Sequence, residues 1–161
     1  QSHFFENTVA ELIALAEGES ELKVRRALAR SRMLSSDVSA AYDPLYAEHY
    51  EKRNSGFFGR GISMNKFTGV RGKSGSNDAN AEYIAVLRKI FDDANVAYQF
   101  DELGKVDAGG GGTIAYIMAN YGMEVIDSGV AVLCMHAPWE ITSKADVYEA
   151  YKGYMAFIEE M

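Results

Sequence analysis

His136 closes the apolar run Val130 to Met135, and Ala137-Pro138 then breaks the run. A buried strand ending this way carries one imidazole out at its C-terminal end, where open α/β folds bind ligands. Asp37 ends a second predicted strand, Arg32 to Val38, and a turn at Asp43-Pro44 follows. Carboxylate and imidazole are both suitable zinc ligands, and the ends of parallel strands converge at one edge of a sheet. Two donors do not complete a site, because a catalytic zinc takes three protein ligands and keeps a fourth position open. His3 and His49, the other histidines, show no ligand spacing. Local pattern alone favours a histidine hydrogen-bonded at a strand end, with no ligand.

Other constellations are weaker. Gly109 to Gly112 sits in DAGGGGTIA ahead of a predicted helix, where backbone amides could hold an anion or oxyanion. The run lacks the lysine of a P-loop and the spacing of the dinucleotide fingerprint. RGKSGS at Arg71 to Ser76 matches half of a P-loop and reads as a flexible basic loop. A serine hydrolase is excluded by the lack of a G-x-S-x-G elbow. Cys134 falls inside the apolar strand pattern, so its thiol is expected in the core beside His136.

The elements that position these residues follow from periodicity. Phe5, Val9, Leu12, Ile13 and Ala16 predict an amphipathic helix over about residues 3–17, ended by Gly18. Ser20 caps a second helix with Leu22, Val24, Ala27 and Leu28 inward. Strands are expected at Arg32 to Val38, Ile62 to Phe67 (alternating), Val96 to Phe100, Met123 to Ile126 and Val130 to Met135. The last two would pair antiparallel through Asp127 to Gly129. Further helices are expected at about Ala79 to Ala94, Thr113 to Tyr121 and Asp146 to Glu160, the last with Val147, Ala150, Tyr151, Tyr154 and Phe157 inward. Leu45 to Gly61 is polar and aromatic and long for a loop, and such loops tend to be functional. Interleaved strands and helices predict an α/β fold: a mixed, mostly parallel sheet covered by helices on both faces.

With 161 residues the chain is one domain's worth. A net charge of −7 argues against a nucleic-acid partner. No apolar run approaches the roughly 20 residues that span a bilayer, so no membrane partner is expected. One cysteine suits a reducing cytoplasm. The chain starts without methionine, and Phe4 and Phe5 already belong to an amphipathic pattern, so a longer protein cut here is expected.

Ordered blocks then carry a resemblance. SSDVSAAYDPLYAEHYEKRN, GISMNKFTG, DAGGGGTIA and SGVAVLCMHAPWEITSKADVYEAYKGYMAF occur in that sequence. They resemble the C-terminal part of the M18 zinc aminopeptidases, the aspartyl aminopeptidase group, and its clostridial-type members most. The likeness runs from end to end of the chain and covers about the last third of a family member. It implies residues 1–161 as a single domain, the C-terminal part of a zinc-peptidase catalytic domain of the phosphorylase/hydrolase-like kind. The upstream catalytic segment and the inserted dimerisation domain would be absent.

The resemblance also implies roles. Asp37 matches a ligand of one zinc and His136 a ligand of the other, in a two-zinc centre. Lys66 matches the lysine that favours acidic substrate side chains, and Gly111 and Gly112 match backbone bordering the substrate. Asp107 is a weaker match with a structural role. No catalytic residue lies in this stretch, because the general-base glutamate is upstream. Tyr42 stands where many members have a histidine, and RGKSGSND departs from the commoner loop. Peptide substrates, the rest of the parent polypeptide and a homo-oligomer (the family dodecamer of dimers) are the implied partners. The stretch alone is expected to be inactive. A non-catalytic interaction module and an anion-binding domain built on the glycine run are the competing readings. Which N-terminal residue is preferred stays open.

Overall fold

The computed structural model describes residues 3–70, 74–105, 107–108 and 111–161. The principal sheet has the order β1-β7-β3-β6, formed by β1 (Arg32–Ser35), β7 (Glu124–Gly129), β3 (Ile62–Asn65) and β6 (Tyr98–Phe100). β1 runs parallel to β7, β7 antiparallel to β3, and β3 parallel to β6. A three-stranded sheet of β2 (Ser39–Ala40), β8 (Ala131–Leu133) and β9 (Ile141–Thr142) lies beyond it, and β4 (Phe67–Val70) and β5 (Ser74–Asp78) form a hairpin. The expected mixed sheet with helices is therefore present.

Each side of the principal sheet has its own chemistry. Leu34, Ile62, Met64 and Ile126 meet Tyr83, Leu87, Ile90 and Phe91 of α3 (Ala81–Asp93) and Ala150 and Ala156 of α5 (Lys144–Glu160). Strand side chains alternate, so Ser35, Ser63, Asn65 and Asp127 occupy the opposite side. All four are buried.

Several sequence expectations need correction. β3 alternates as expected but ends at Asn65, and its polar side is buried as well as its apolar one, as suits a strand covered on both faces. Part of the predicted basic loop is β-hairpin, and Asn77 and Asp78 belong to β5 rather than to a helix cap; residues 71–73 lie outside the described residues. β7 and β8 join different sheets and do not pair with each other, because β8 pairs with β2 and β9. On α5, Val147 and Tyr151 face solvent while Ala150, Gly153 and Ala156 are buried. Small residues bring that helix onto Ile62: a Cβ on Gly153 would strike its Cδ1. α1 (Phe4–Glu17) forms as expected but buries none of its residues. α2 (Glu21–Ala29) buries only Leu28, and its predicted cap holds, Ser20 accepting from the Lys23 N–H.

A buried carboxylate ties the start of α5 to the segment that leads into β3. Asp146, at the start of α5, accepts the N–H groups of Gly59 and Gly61, both at 2.8 Å. Gly61 has φ +84°, and any Cβ there would collide with the Ala97 carbonyl. Asp146→Ala would strand both amides, one of them buried. We expect it to cost about 2–3 kcal/mol in chemical denaturation, against little change for Glu159→Ala on the exposed end of the same helix.

Candidate functional site

Five stretches far apart in sequence line one cavity of about 330 Å³. They supply Asp37, Val38 and Ala40; His49 and Tyr50; Leu103 and Gly104; Gly111, Gly112 and Thr113; and Met135 and His136. Asp37, His136, Gly111 and Gly112 are thus brought together. Lys66 is not among the lining residues. It sits on the turn between β3 and β4 and ion-pairs with Asp78.

The register explains how the site forms. Ser35, the last residue of β1, pairs with Asp127 on β7, and Asn65, the last residue of β3, pairs with Asp127 from the other side. β1 and β3 run in opposite directions, so their C-terminal ends meet head-on at this row. Asp37 leaves one end and Lys66 the other. Asp37 and Lys66 thus leave opposed ends at one row, whereas Asp37 and His136 belong to segments that run parallel, β1 beside β7 and β2 beside β8. Gly129 on β7 lets the chain pass: a Cβ there would land on the Asp37 carbonyl. The Asp37 carboxylate accepts from the Val38 N–H at 2.9 Å.

The second stretch differs from its prediction in detail. β8 ends at Leu133, so His136 lies on a turn three residues later, not on the strand. Cys134 and His136 both have left-handed backbone, φ 56° and 66°, a conformation non-glycine residues adopt rarely and mostly at special sites. Cys134 is exposed, not in the core, because the strand stops before it. The Glu140 carboxylate accepts the His136 N–H at 2.6 Å and so closes the turn that displays the imidazole. Asp107 has φ 64°.

The glycine run is only partly described, Gly109 and Gly110 lying outside the described residues. The helix after it, α4 (Ala115–Ala119), is a single turn or so. It offers little dipole for an anion, which weakens the anion-cradle reading.

Sequence spacing marked none of His49, Tyr50 or Thr113. The length of the polar-aromatic stretch after Asp43 was the available signal for the first two. Pro44–His49 and Lys52–Asn54 fold it into two short 3-10 turns, with Asp43 capping Leu45. Tyr50 packs edge-on against Tyr42. Burial raises its phenol above the ordinary value, and the charges of Asp43 and Cys134 add to the shift, so it stands at the cavity as a neutral group.

Two carboxylates lie behind the cavity. Asp101 is 4% exposed. It accepts from Ser39 Oγ at 2.9 Å and from the Asn65 amide. Burial pushes its carboxyl up to about 7, against the opposing pull of Ser39, Ser63 and Asn65, with Glu102 adding to the rise. Burial likewise raises Asp127, opposed by Thr113, Ser35 and Thr68, with Asp37 adding to the rise.

Among the described residues, no group of three or more His, Cys, Asp or Glu side chains converges as a metal site. The cavity is lined by one carboxylate, Asp37, and two imidazoles, His49 and His136; these types suit zinc, but the three do not converge as a ligand set. No helix among the described residues is long and apolar enough to cross a membrane.

Comparison with known proteins gives a consistent result. A family model described as aminopeptidase I zinc metalloprotease (M18) matches residues 1–158. A probable M18 family aminopeptidase 1 of Clostridium acetobutylicum is 65% identical over 158 residues, 98% of this chain but 34% of that protein. Its counterpart in Borreliella burgdorferi is 43% identical over 99% of this chain and 35% of that protein. The chain therefore spans about a third of the length of these relatives. Among solved structures, an M18 aminopeptidase from Thermotoga maritima superposes with TM-score 0.93 at 38% identity, covering all of this chain and 36% of that one.

Two outcomes follow from the geometry. Gly129→Ala should cost about 1–3 kcal/mol by overpacking, read by urea denaturation, because backbone at Asp37 must move. Asp101 binds a proton more tightly folded than unfolded, since its pKa rises from 3.8 to about 7. Its contribution is therefore fully present below about pH 4 and is lost as pH climbs through 7. Asp101→Asn should remove that slope, so that the variant gains on the wild type by an amount on the order of 4 kcal/mol between pH 4 and pH 8. Parallel denaturation curves for the two proteins across that range would contradict the assignment.

Proposed function

Because the chain belongs to the M18 family of aminopeptidase I zinc metalloproteases, we propose that it is the C-terminal part of the catalytic domain of a two-zinc aminopeptidase that removes N-terminal amino acids from peptides. The supporting observation is that Asp37 and His136, distant in sequence, line one cavity together with Gly111 and Gly112. On this reading Asp37 holds one zinc and His136 the other, and the remaining ligands and the general-base glutamate come from the rest of the parent polypeptide. Bound zinc supplies Lewis-acid polarisation of the scissile carbonyl and a water acidic enough to attack at neutral pH.

This chain's own residues do the rest of their share by positioning. The Glu140–His136 turn fixes where the imidazole stands. Gly129 fixes where Asp37 stands. Gly111 and Gly112 leave a wall free of side chains, so a peptide backbone can approach closely. Lys66 would favour acidic substrate side chains by exchanging its Asp78 partner for a substrate carboxylate. The parent would be a homo-oligomer. It would work in the cytoplasm, which suits the unpaired, exposed Cys134.

The test compares the full-length parent with this chain. The parent should bind two zinc equivalents and hydrolyse aminoacyl chromogenic substrates. Asp37→Ala and His136→Ala should each lower its zinc affinity and turnover by roughly 100-fold or more, above the 10–100-fold typical of outer-shell partners. The 161-residue chain should be inactive and hold zinc weakly at best. Metal-dependent hydrolysis by that chain alone, or a parent whose zinc content ignores both substitutions, would sink the proposal.

A further inference from the structure

Asp127 is 1% exposed and sits on β7 at the row where β1 and β3 end. Its Oδ2 accepts two hydroxyls, from Thr68 of β4 at 3.0 Å and from Thr113 at 2.7 Å. The threonine oxygens are 3.2 Å apart. With the carboxylate ionised, both hydroxyl protons point to Oδ2, so the threonines touch without a proton between them. Thr113 Oγ1 keeps a lone pair for the Ala115 N–H, at 3.3 Å. All three side chains are buried.

Thr113 is where the glycine wall joins the rest of the fold. Gly111, Gly112 and Thr113 line the cavity in succession. Gly112 also passes close over the end of β4: a Cβ there would sit 2.7 Å from Val70 Cγ2. Thr68, two residues before Val70, is the other arm on the same carboxylate oxygen. Two chain segments that meet at the cavity wall are therefore joined through one buried acceptor. The Asp127 Oδ1 atom is buried without a hydrogen bond. Leaving an acceptor unsatisfied costs about 1–3 kcal/mol.

We propose that Asp127, Thr68 and Thr113 form a clamp that positions Gly111 and Gly112 as the substrate wall, with Asp127 a positioning residue that acts through Thr113. The clamp's role toward substrate rests on the aminopeptidase reading above; the clamp itself does not.

Hydrogen exchange on this chain tests the clamp directly. Thr113→Val keeps the shape and removes the donor. Loss of a charge-assisted hydrogen bond should raise exchange at the amides of Gly111 to Ile114 by roughly 10-fold, with Ile62–Asn65 unchanged. Thr113→Ser should restore the slow rate, and Thr68→Val should give a smaller rise at the same amides, which keeps the test open should Thr113→Val fold poorly. Wild-type exchange in both valine variants would overturn the clamp.

In the full-length parent, Thr113→Val should raise KM by about 10-fold with kcat within about 3-fold, and Thr113→Ser should recover KM. A faster-exchanging wall with unmoved KM overturns its role toward substrate. A parent with no peptidase activity removes the aminopeptidase reading and leaves the exchange result standing.

Discussion

Asp127 has β1 on one side and β3 on the other, and each of those strands ends beside it. The candidate site depends on that arrangement. A chain that leaves a strand end must turn, and two chains leaving opposed ends at one row must turn into the same space. The segment at Asp37 lines the cavity, and the segment after Lys66 brings Thr68 onto the Asp127 carboxylate. Gly129, two residues further along the same strand, supplies the gap through which the Asp37 backbone passes.

The two sides of the sheet divide the work. Leu34, Ile62, Met64 and Ile126 meet α3 and α5 in an apolar cluster, where burial of each large side chain contributes about 1.5–3 kcal/mol. The other side buries Ser35, Ser39, Ser63, Asn65, Asp101 and Asp127. Such a layer gains little net stability, because each group exchanges water for a protein partner. Ser35 and Ser63 hydroxyls and one Asp127 oxygen make no hydrogen bond of good geometry, although both hydroxyls lie near enough to lower the Asp127 and Asp101 carboxyls. The apolar side stabilises the fold, and the polar side sets where the cavity walls stand.

Periodicity made the helices legible. α1, α3 and α5 were visible in the spacing of apolar residues, because one face of each repeats at helical intervals. Which face is buried was harder: Val147 and Tyr151 share the pattern of Ala150 but lie on the solvent side, since close packing on Ile62 selects the small residues. The β4–β5 hairpin was missed because Gly, Ser and Asn dominate it, and such residues read as loop until a partner strand supplies hydrogen bonds. The β7–β8 pairing was wrong for a related reason. Both are apolar and adjacent in sequence, but β8 finds its ladder on β2. Asp37 and His136, which line the cavity, stood out as polar residues near strand ends and by likeness to a family. Asp127 and Asp101 did not, because a carboxylate inside an apolar run carries no sign of the hydroxyls that will meet it.

The cavity draws its walls from five stretches that no local segment of the chain brings together. β1 pairs with β7, and β2 with β8, across nearly a hundred intervening residues. Contacts of that span close late and slowly, because chain entropy is lost before they form. Leu34 and Ile126 of the apolar cluster meet through the same β1–β7 pairing, so cluster and cavity rest on the same long-range contacts. The cavity exists only where those long-range pairings are in place, so its presence reports the complete fold.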